Sequence, residues 1–186
     1  MMSLASGPLG QGRTRALSIL GGAIDVLGFS GKAVAAVTIS FMFFALLINV
    51  VLRYAFGSGI AWAYEIHAIL LPWLVAGGLL VAASQGRNIA ITILPDMLSE
   101  SARRWLVIGI EALVIVICLT VLDSSQPILK ASKFQKLSTL GISQSWGYFS
   151  LVYAFGGMAL IAGLDLIRLL LGRSVALAAP EESSLS

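Results

Sequence analysis

Charged side chains are scarce in this sequence: Asp, Glu, Lys and Arg make up 11% of its 186 residues, whereas hydrophobic residues make up 58%. A soluble domain carries about 25% charged residues. A chain of this size cannot bury so much apolar surface within itself, because small folds leave a large part of their area exposed. Lipid must therefore be the solvent for much of the chain, and the composition predicts an integral membrane protein.

Cysteine and histidine are almost absent as well, with one residue of each, Cys118 and His67. An internal disulfide and a Cys/His metal site are therefore excluded. No G-x-x-x-x-G-K-[ST] or G-x-G-x-x-G pattern occurs, which argues against a nucleotide site. We expect no cofactor and no catalytic constellation, and predict that the protein is not an enzyme.

The net charge is weakly positive, at +3, with an isoelectric point near 9.3. The basic side chains stand beside apolar runs, where they are attracted to the anionic lipids of a cytoplasmic leaflet. The charge therefore predicts contact with membrane lipids and gives no reason to expect a nucleic-acid partner.

Four apolar runs reach the roughly 20 residues that a helix needs to cross a bilayer core about 30 Å thick. They cover residues 33–52, 66–83, 105–122 and 146–171. Helices are favoured over strands because lipid offers the backbone no hydrogen-bond partner, and because these runs lack the alternation of barrel strands. The predicted fold is all-α: a polytopic membrane protein with four transmembrane helices.

The N-terminal segment predicts a separate element. Leu17, Leu20, Ile24 and Leu27 share one face of a helix over 16–31, and Asp25 lies off that face, as in a helix that lies in the membrane interface. A loose arm is the alternative. The domain prediction is thus an N-terminal cytoplasmic arm with an interfacial helix (1–31), a four-helix transmembrane domain (32–173) and a disordered tail (174–186).

The distribution of basic residues predicts the orientation. Eight of the twelve lie at the end of the spans that holds both termini: Arg13, Arg15, Lys32, Arg87, Arg103, Arg104, Arg168 and Arg173. Arg53, Lys130, Lys133 and Lys136 lie at the other end. The positive-inside rule then places both termini in the cytoplasm. Trp62, Trp105, Trp146, Arg103 and Arg104 stand at span edges and are expected at the lipid interface.

The segment between the first two spans carries a charge at each end, Arg53 and Glu65. Each is costly near hydrocarbon unless it is paired or reaches the interface. Three interpretations stay open: an Arg53–Glu65 contact, a contact between one of them and a partner chain, or two independent solvated charges.

Polar side chains inside the spans are few. Glu111 could be a proton or sodium site, but a structural role is favoured because no second acidic residue accompanies it. Asn49 predicts a helix–helix hydrogen bond. Gly78 with Ala82, and Ala159 with Gly163, have the spacing of four that lets helices approach closely.

An ordered set of residues carries a resemblance to a known family. The set comprises Arg53, Tyr54 and Phe56; Trp62 and Glu65; Trp73 and Gly77; the Gly86-Arg87-Asn88-Ile89-Ala90-Ile91 stretch; Leu94, Pro95 and Arg103; and Trp146 with Tyr148. At four-span spacing, the region 32–173 resembles the DctQ-type small permease subunits of tripartite ATP-independent periplasmic (TRAP) transporters. The family often has histidine where this chain has Asn88, which puts any role of an imidazole there in doubt and leaves a hydrogen-bonding role open.

The resemblance implies a set of partners. A small permease subunit of this family pairs with a large permease subunit that carries substrate and sodium, and a periplasmic binding protein delivers the substrate, usually a carboxylate. It also implies a multi-pass protein of the bacterial inner membrane. We predict that Arg53, Tyr54, Trp62, Glu65, Asn88 and Glu111 serve the partner interface or the structure. Alternatives are a self-sufficient small proton-coupled transporter that uses Glu111 and the four-span small subunit of a tricarboxylate transporter.

Overall fold

The structure, a computed structural model, describes residues 8–93 and 99–171; for 8–14, 86–93 and residue 100 it describes the backbone alone. Within these limits the chain is helical, which confirms the all-α prediction. The helices are α1 (Pro8–Phe56), α2 (Trp62–Ile93), α3 (Glu100–Ser124), the short α4 (Gln126–Ser132) and α5 (Ser145–Leu170). Four of them, α1, α2, α3 and α5, are long and apolar enough to cross a membrane, as predicted.

The four long helices lie in an open row, in the order α1, α2, α5, α3, and the N-terminal part of α1 also touches α5. Helix α2 packs between α1 and α5, and α5 packs between α2 and α3. Among the described residues, no Cα atom of α3 comes within 8 Å of α1 or α2. In the most apolar stretch of α3 only 6% of the residues are buried, against 28% in α5. The two edge helices therefore expose most of their surface.

Helix α1 is one continuous rod of 49 residues, about 74 Å long. Residues 16–31, for which a separate interfacial helix is predicted, are part of α1, which runs into the first span without a break. The reason lies in its apolar face, because Ile24 is fully buried against Leu80 of α2 and Ile161 of α5. The predicted boundary at residue 31 is thus not a break in the fold. Residues 1–7 and the predicted tail at 174–186 lie outside the described residues.

Helices α1 and α2 touch at a pair of glycines. A Cβ atom on Gly31 would stand 2.7 Å from the carbonyl oxygen of Gly77, and one on Gly77 would stand 2.6 Å from the carbonyl oxygen of Gly31. The expectation that Gly78 and Gly163 mark close contacts is wrong, since a Cβ atom on either would meet nothing within 4 Å. Gly77, one residue away, is the one that faces α1.

Polar side chains tie the inner helices together. The hydroxyl groups of Ser30 in α1 and Tyr153 in α5 are hydrogen bonded at 2.8 Å. The indole N–H of Trp73 in α2 donates to the carbonyl of Trp146 at the start of α5 (2.9 Å), and the rings of Trp73 and Tyr153 pack at 5.6 Å. These bonds fix α5 against α1 and α2 in a medium that would not solvate the groups.

Helix α3 (Glu100–Ser124) extends beyond both ends of the predicted run at 105–122. The side chain of Ser99 caps it by accepting from the N–H of Ala102 (3.3 Å). At the other end α3 stops at Ser124, because Pro127 has no N–H to donate to the preceding turn. The short α4 carries Lys130, and Lys133 and Lys136 follow it in the connection to α5. Among these lysines, only Lys130 therefore lies in a helix.

One ion pair is buried among the described residues of α5. Asp165 Oδ1 and Arg168 Nη1 lie 3.5 Å apart, with side chains 9% and 10% exposed. The guanidinium group also lies against α1, because a Cβ atom on Gly21 would stand 3.2 Å from Arg168 Nη2. Spacing by three residues places the two charges on one helical face.

Candidate partner surface

The connection between α1 and α2 is a tight hairpin held by a buried amide. Asn49 is 1% exposed, and its Oδ1 atom accepts a hydrogen bond of 2.5 Å from the N–H of Ile60. Gly57 turns the chain with a φ of +72°, a conformation that favours glycine. Asn49 was expected to bond a neighbouring helix; it instead fixes the loop that follows its own helix.

The hairpin presents aromatic and basic side chains outward. Tyr54 is 87% exposed, Phe56 is 75% exposed, and Arg53 and Tyr64 are exposed as well. Trp62, the first residue of α2, is half-buried. Because Asn49 anchors the turn between them, these side chains project from a fixed backbone.

Glu65 binds the loop before α5. Its carboxylate accepts hydrogen bonds from the N–H of Thr139 (2.9 Å), the hydroxyl of Thr139 (2.9 Å) and the N–H of Leu140 (3.4 Å). The predicted Arg53–Glu65 contact is wrong, because the carboxylate is directed to this loop and forms no ion pair with Arg53 in the described part of the chain. Arg53 as a contact of a partner chain stays a prediction.

The loop of residues 133–144 is itself closed by short-range bonds. Lys136 and Ser143 form an isolated antiparallel bridge, and the N–H of Leu137 donates to the carbonyl of Ile142 (2.9 Å). Gly141 turns the chain with a φ of +66°. The hydroxyl of Ser143 donates to the carbonyl of Ser132, the last residue of α4 (3.1 Å). We call this segment, together with the α1–α2 hairpin that Glu65 joins to it, the outer surface.

Replacing Glu65 with alanine is expected to loosen this loop, because two backbone N–H groups and one hydroxyl lose their acceptor. Amide hydrogen exchange of residues 137–143 should become several-fold faster, while exchange within α2 and α5 stays unchanged. Thr139→Val, which removes the hydroxyl bond alone, should have a smaller effect. Asp123→Ala removes an exposed carboxylate at the same end of the bundle and serves as the control. Equal protection of the loop in Glu65→Ala and wild type would contradict this role.

The opposite end of the bundle holds Arg103, Arg104 and Trp105. Arg104 Nη2 donates to the carbonyl of Leu169 (3.0 Å) and so satisfies one of the last carbonyls of α5. Arg103 is half-buried, whereas Trp105 is 73% exposed near the start of α3. At the other end of the bundle, Trp146 is 61% exposed at the start of α5. Their placement at the lipid interface stays a prediction.

Two predicted residues contribute less to this surface. Glu111 is half-buried within α3 and engaged in an interaction inside the protein. Asn88 lies in the helical backbone of α2, and its side chain lies outside the part that the structure describes. The outer surface therefore rests on Asn49, Glu65 and the loop of residues 133–144, and sequence reasoning missed the loop because Glu65 and Thr139 are 74 residues apart.

Comparison with known proteins identifies the family. Residues 33–172 match the family model of the DctQ component of tripartite ATP-independent periplasmic transporters. That match covers all four spans and about three quarters of the chain. The chain belongs to the DctQ family of TRAP transporter small permease subunits.

Two relatives of this small permease show how far the similarity extends. A Haemophilus influenzae protein, provisionally named as a TRAP transporter small permease protein, is 30% identical over 131 residues, which cover 68% of this chain and 80% of that protein. The sialic acid TRAP transporter small permease protein SiaQ of Vibrio cholerae is 30% identical over 118 residues, which cover 61% of this chain and 67% of that protein. No solved structure matches this small permease significantly.

Proposed function

We propose that this chain is a non-catalytic subunit that braces a large, sodium-coupled permease subunit in the inner membrane, for uptake of a carboxylate delivered by a periplasmic binding protein. The observation that carries the proposal is the open row of helices. A subunit that braces another needs broad exposed surfaces on rigid helices, and α1 and α3 supply them.

Helix α1 has the larger exposed surface. Over residues 37–51 its exposed large apolar side chains are Val37, Ile39, Phe41, Phe43, Phe44, Leu47, Ile48, Val50 and Val51. Only Thr38, Ala45 and Asn49 are buried in that stretch, on the narrow face toward α2. The rest must contact lipid or another membrane protein, since water would make such exposure costly.

The described residues of this chain do not form a path along which a solute could cross the membrane. A row of helices encloses no central path, because α3 does not approach α1 or α2. Many secondary transporters place their substrate between internal repeats with broken helices, and neither feature is present in the described helices. Glu111, the residue on which a proton-coupled alternative depends, is engaged inside the protein.

The remaining parts of the proposal rest on the family and on the basic residues. The Vibrio cholerae relative is named for sialic acid, a sugar that bears a carboxylate, which supports an acidic substrate. The excess of Lys and Arg at the end opposite the outer surface supports a cytoplasmic location for both termini, and with it a periplasmic location for the outer surface.

Purification from a mild detergent, followed by reconstitution, tests the proposal. A much larger membrane protein is expected to co-purify with the tagged chain. Vesicles that contain both proteins should take up a carboxylate only when sodium and the binding protein are present. Vesicles with this chain alone should take up none. Solute uptake by the chain alone, or purification without a membrane partner, would overturn the proposal.

A further inference from the structure

We propose that the loop of residues 133–144 and the adjoining end of α4 form a preformed cationic docking surface for the acidic face of a soluble periplasmic protein. The inference rests on the proposed function, which supplies such a protein as the carrier of the substrate. It assigns the contact to Lys130, Lys133, Phe134 and Lys136 of the small subunit.

The charge at this end of the molecule is one-sided. Arg53, Lys130, Lys133 and Lys136 are exposed, and in the described part of the chain none of their side chains forms an ion pair. The acidic residues here are the exposed Asp123 and Glu65, whose carboxylate is occupied by the loop. The surface is thus positive overall, with four cations against two carboxylates, and its cations are available to a partner.

These cations are not explained by membrane insertion. Lys and Arg near spans are enriched on the cytoplasmic side, where they set the orientation and meet anionic lipid. Lys130, Lys133 and Lys136 lie at the opposite end from both termini, where they weaken the positive-inside signal. Basic residues on the side where they are usually depleted fit a role in attracting a soluble partner. Electrostatic attraction of this kind raises the rate of association.

The surface also has an apolar centre. Phe134 stands between Lys133 and Lys136 in sequence and is 88% exposed. Protein–protein interfaces often have an aromatic residue at the centre and polar or charged residues around it, and Phe134 with its lysine neighbours has this composition. A lipid interface also takes lysines and phenyl rings, and it is the alternative that the test distinguishes.

The backbone under these side chains is fixed before any partner arrives. The Lys136–Ser143 bridge and the Ser143–Ser132 bond close the loop, and Glu65 ties it to α2. Preorganisation of this kind lowers the entropic cost of binding. Glu65 is therefore a positioning residue for the docking surface and not itself a partner contact.

The test measures binding of the purified substrate-binding protein to the assembled two-subunit transporter in nanodiscs of phosphatidylcholine. Lys133→Gln/Lys136→Gln should weaken binding by about tenfold at low salt and should flatten its salt dependence. Phe134→Ala should weaken binding at every salt concentration. The matched control is Arg13→Gln/Arg15→Gln, which removes two cations at the other end of the chain and should leave binding unchanged. Uptake by the lysine variant should recover at saturating binding protein.

Several outcomes would overturn the inference. If the lysine variant binds the binding protein with wild-type affinity, the lysines have no docking role. If the arginine control loses as much affinity as the lysine variant, the effect is one of net charge alone. An effect that arises only in discs with phosphatidylglycerol assigns the lysines to lipid. Amide hydrogen exchange in residues 133–144 must be the same in the lysine variant and in wild type, because this shows that the loop is intact. A transporter that never assembles would instead overturn the proposed function, and this inference with it.

Discussion

Replacing Gly77 with alanine is expected to destabilise the folded protein by about 1–3 kcal/mol, although alanine is the better helix former. The added methyl group would stand 2.6 Å from the carbonyl oxygen of Gly31 and 2.9 Å from the backbone nitrogen of Ala35. Both are backbone atoms of α1, which cannot rotate away as a side chain can. The helices must separate at this point, and this loosens the packing of α1 against α2.

The adjacent residue provides the control. Gly78 lies in the same turn of α2, and a Cβ atom there would meet nothing within 4 Å. Gly78→Ala should therefore leave stability unchanged or raise it by up to about 1 kcal/mol, through helix propensity alone. In thermal unfolding followed by tryptophan fluorescence in detergent, Gly77→Ala should lower Tm by several degrees, at about 2–4 °C per kcal/mol. Equal Tm values for the two variants would show that α1 and α2 do not pack closely at Gly77.

This pair of glycines also shows what the sequence could predict and what it could not. Hydrophobic length is a local property, so four spans follow from the sequence, and the predicted run at 146–171 agrees with Ser145–Leu170 to within a residue. The rotation of a helix about its axis depends on its neighbours. For that reason Gly78 rather than Gly77 was singled out. The continuity of α1 was missed for a related reason, since the burial of Ile24 depends on Leu80 and Ile161, which are distant in the chain.

The candidate surface was predicted in its composition but not in its connections. The segment from Arg53 to Glu65 was recognised as informative because charged residues flank a short turn between two spans. Which partner each polar group takes depends on the loop of residues 133–144, and no local pattern places Thr139 beside Glu65. Asn49 shows the same limit: its polarity within a span predicts a hydrogen bond, but the choice of Ile60 as the donor follows from the geometry of the turn.

Removal of Asp165 is expected to have the largest effect on stability of any single change to the polar groups of the bundle. The carboxylate lies 3.5 Å from the Arg168 guanidinium, in a site where both side chains are about nine-tenths buried. Taking away one partner leaves a buried charge with less compensation, which costs about 3–5 kcal/mol in buried ion pairs. Asp165→Ala should therefore lower Tm by about 10 °C, with loss of contact between α5 and the Gly21 region of α1.

The double variant Asp165→Ala/Arg168→Met separates the ion pair from simple loss of packing. Methionine keeps an apolar stem of similar reach and carries no charge, so the double variant should recover much of the stability that Asp165→Ala loses. Asp25→Ala is the control, because it removes an exposed carboxylate from α1 and should change stability by less than about 0.5 kcal/mol. If Asp165→Ala and the double variant unfold at the same temperature, the two charges are not coupled. In that case Asp165 stabilises the bundle through its other contacts, and the guanidinium group of Arg168 is satisfied independently of it.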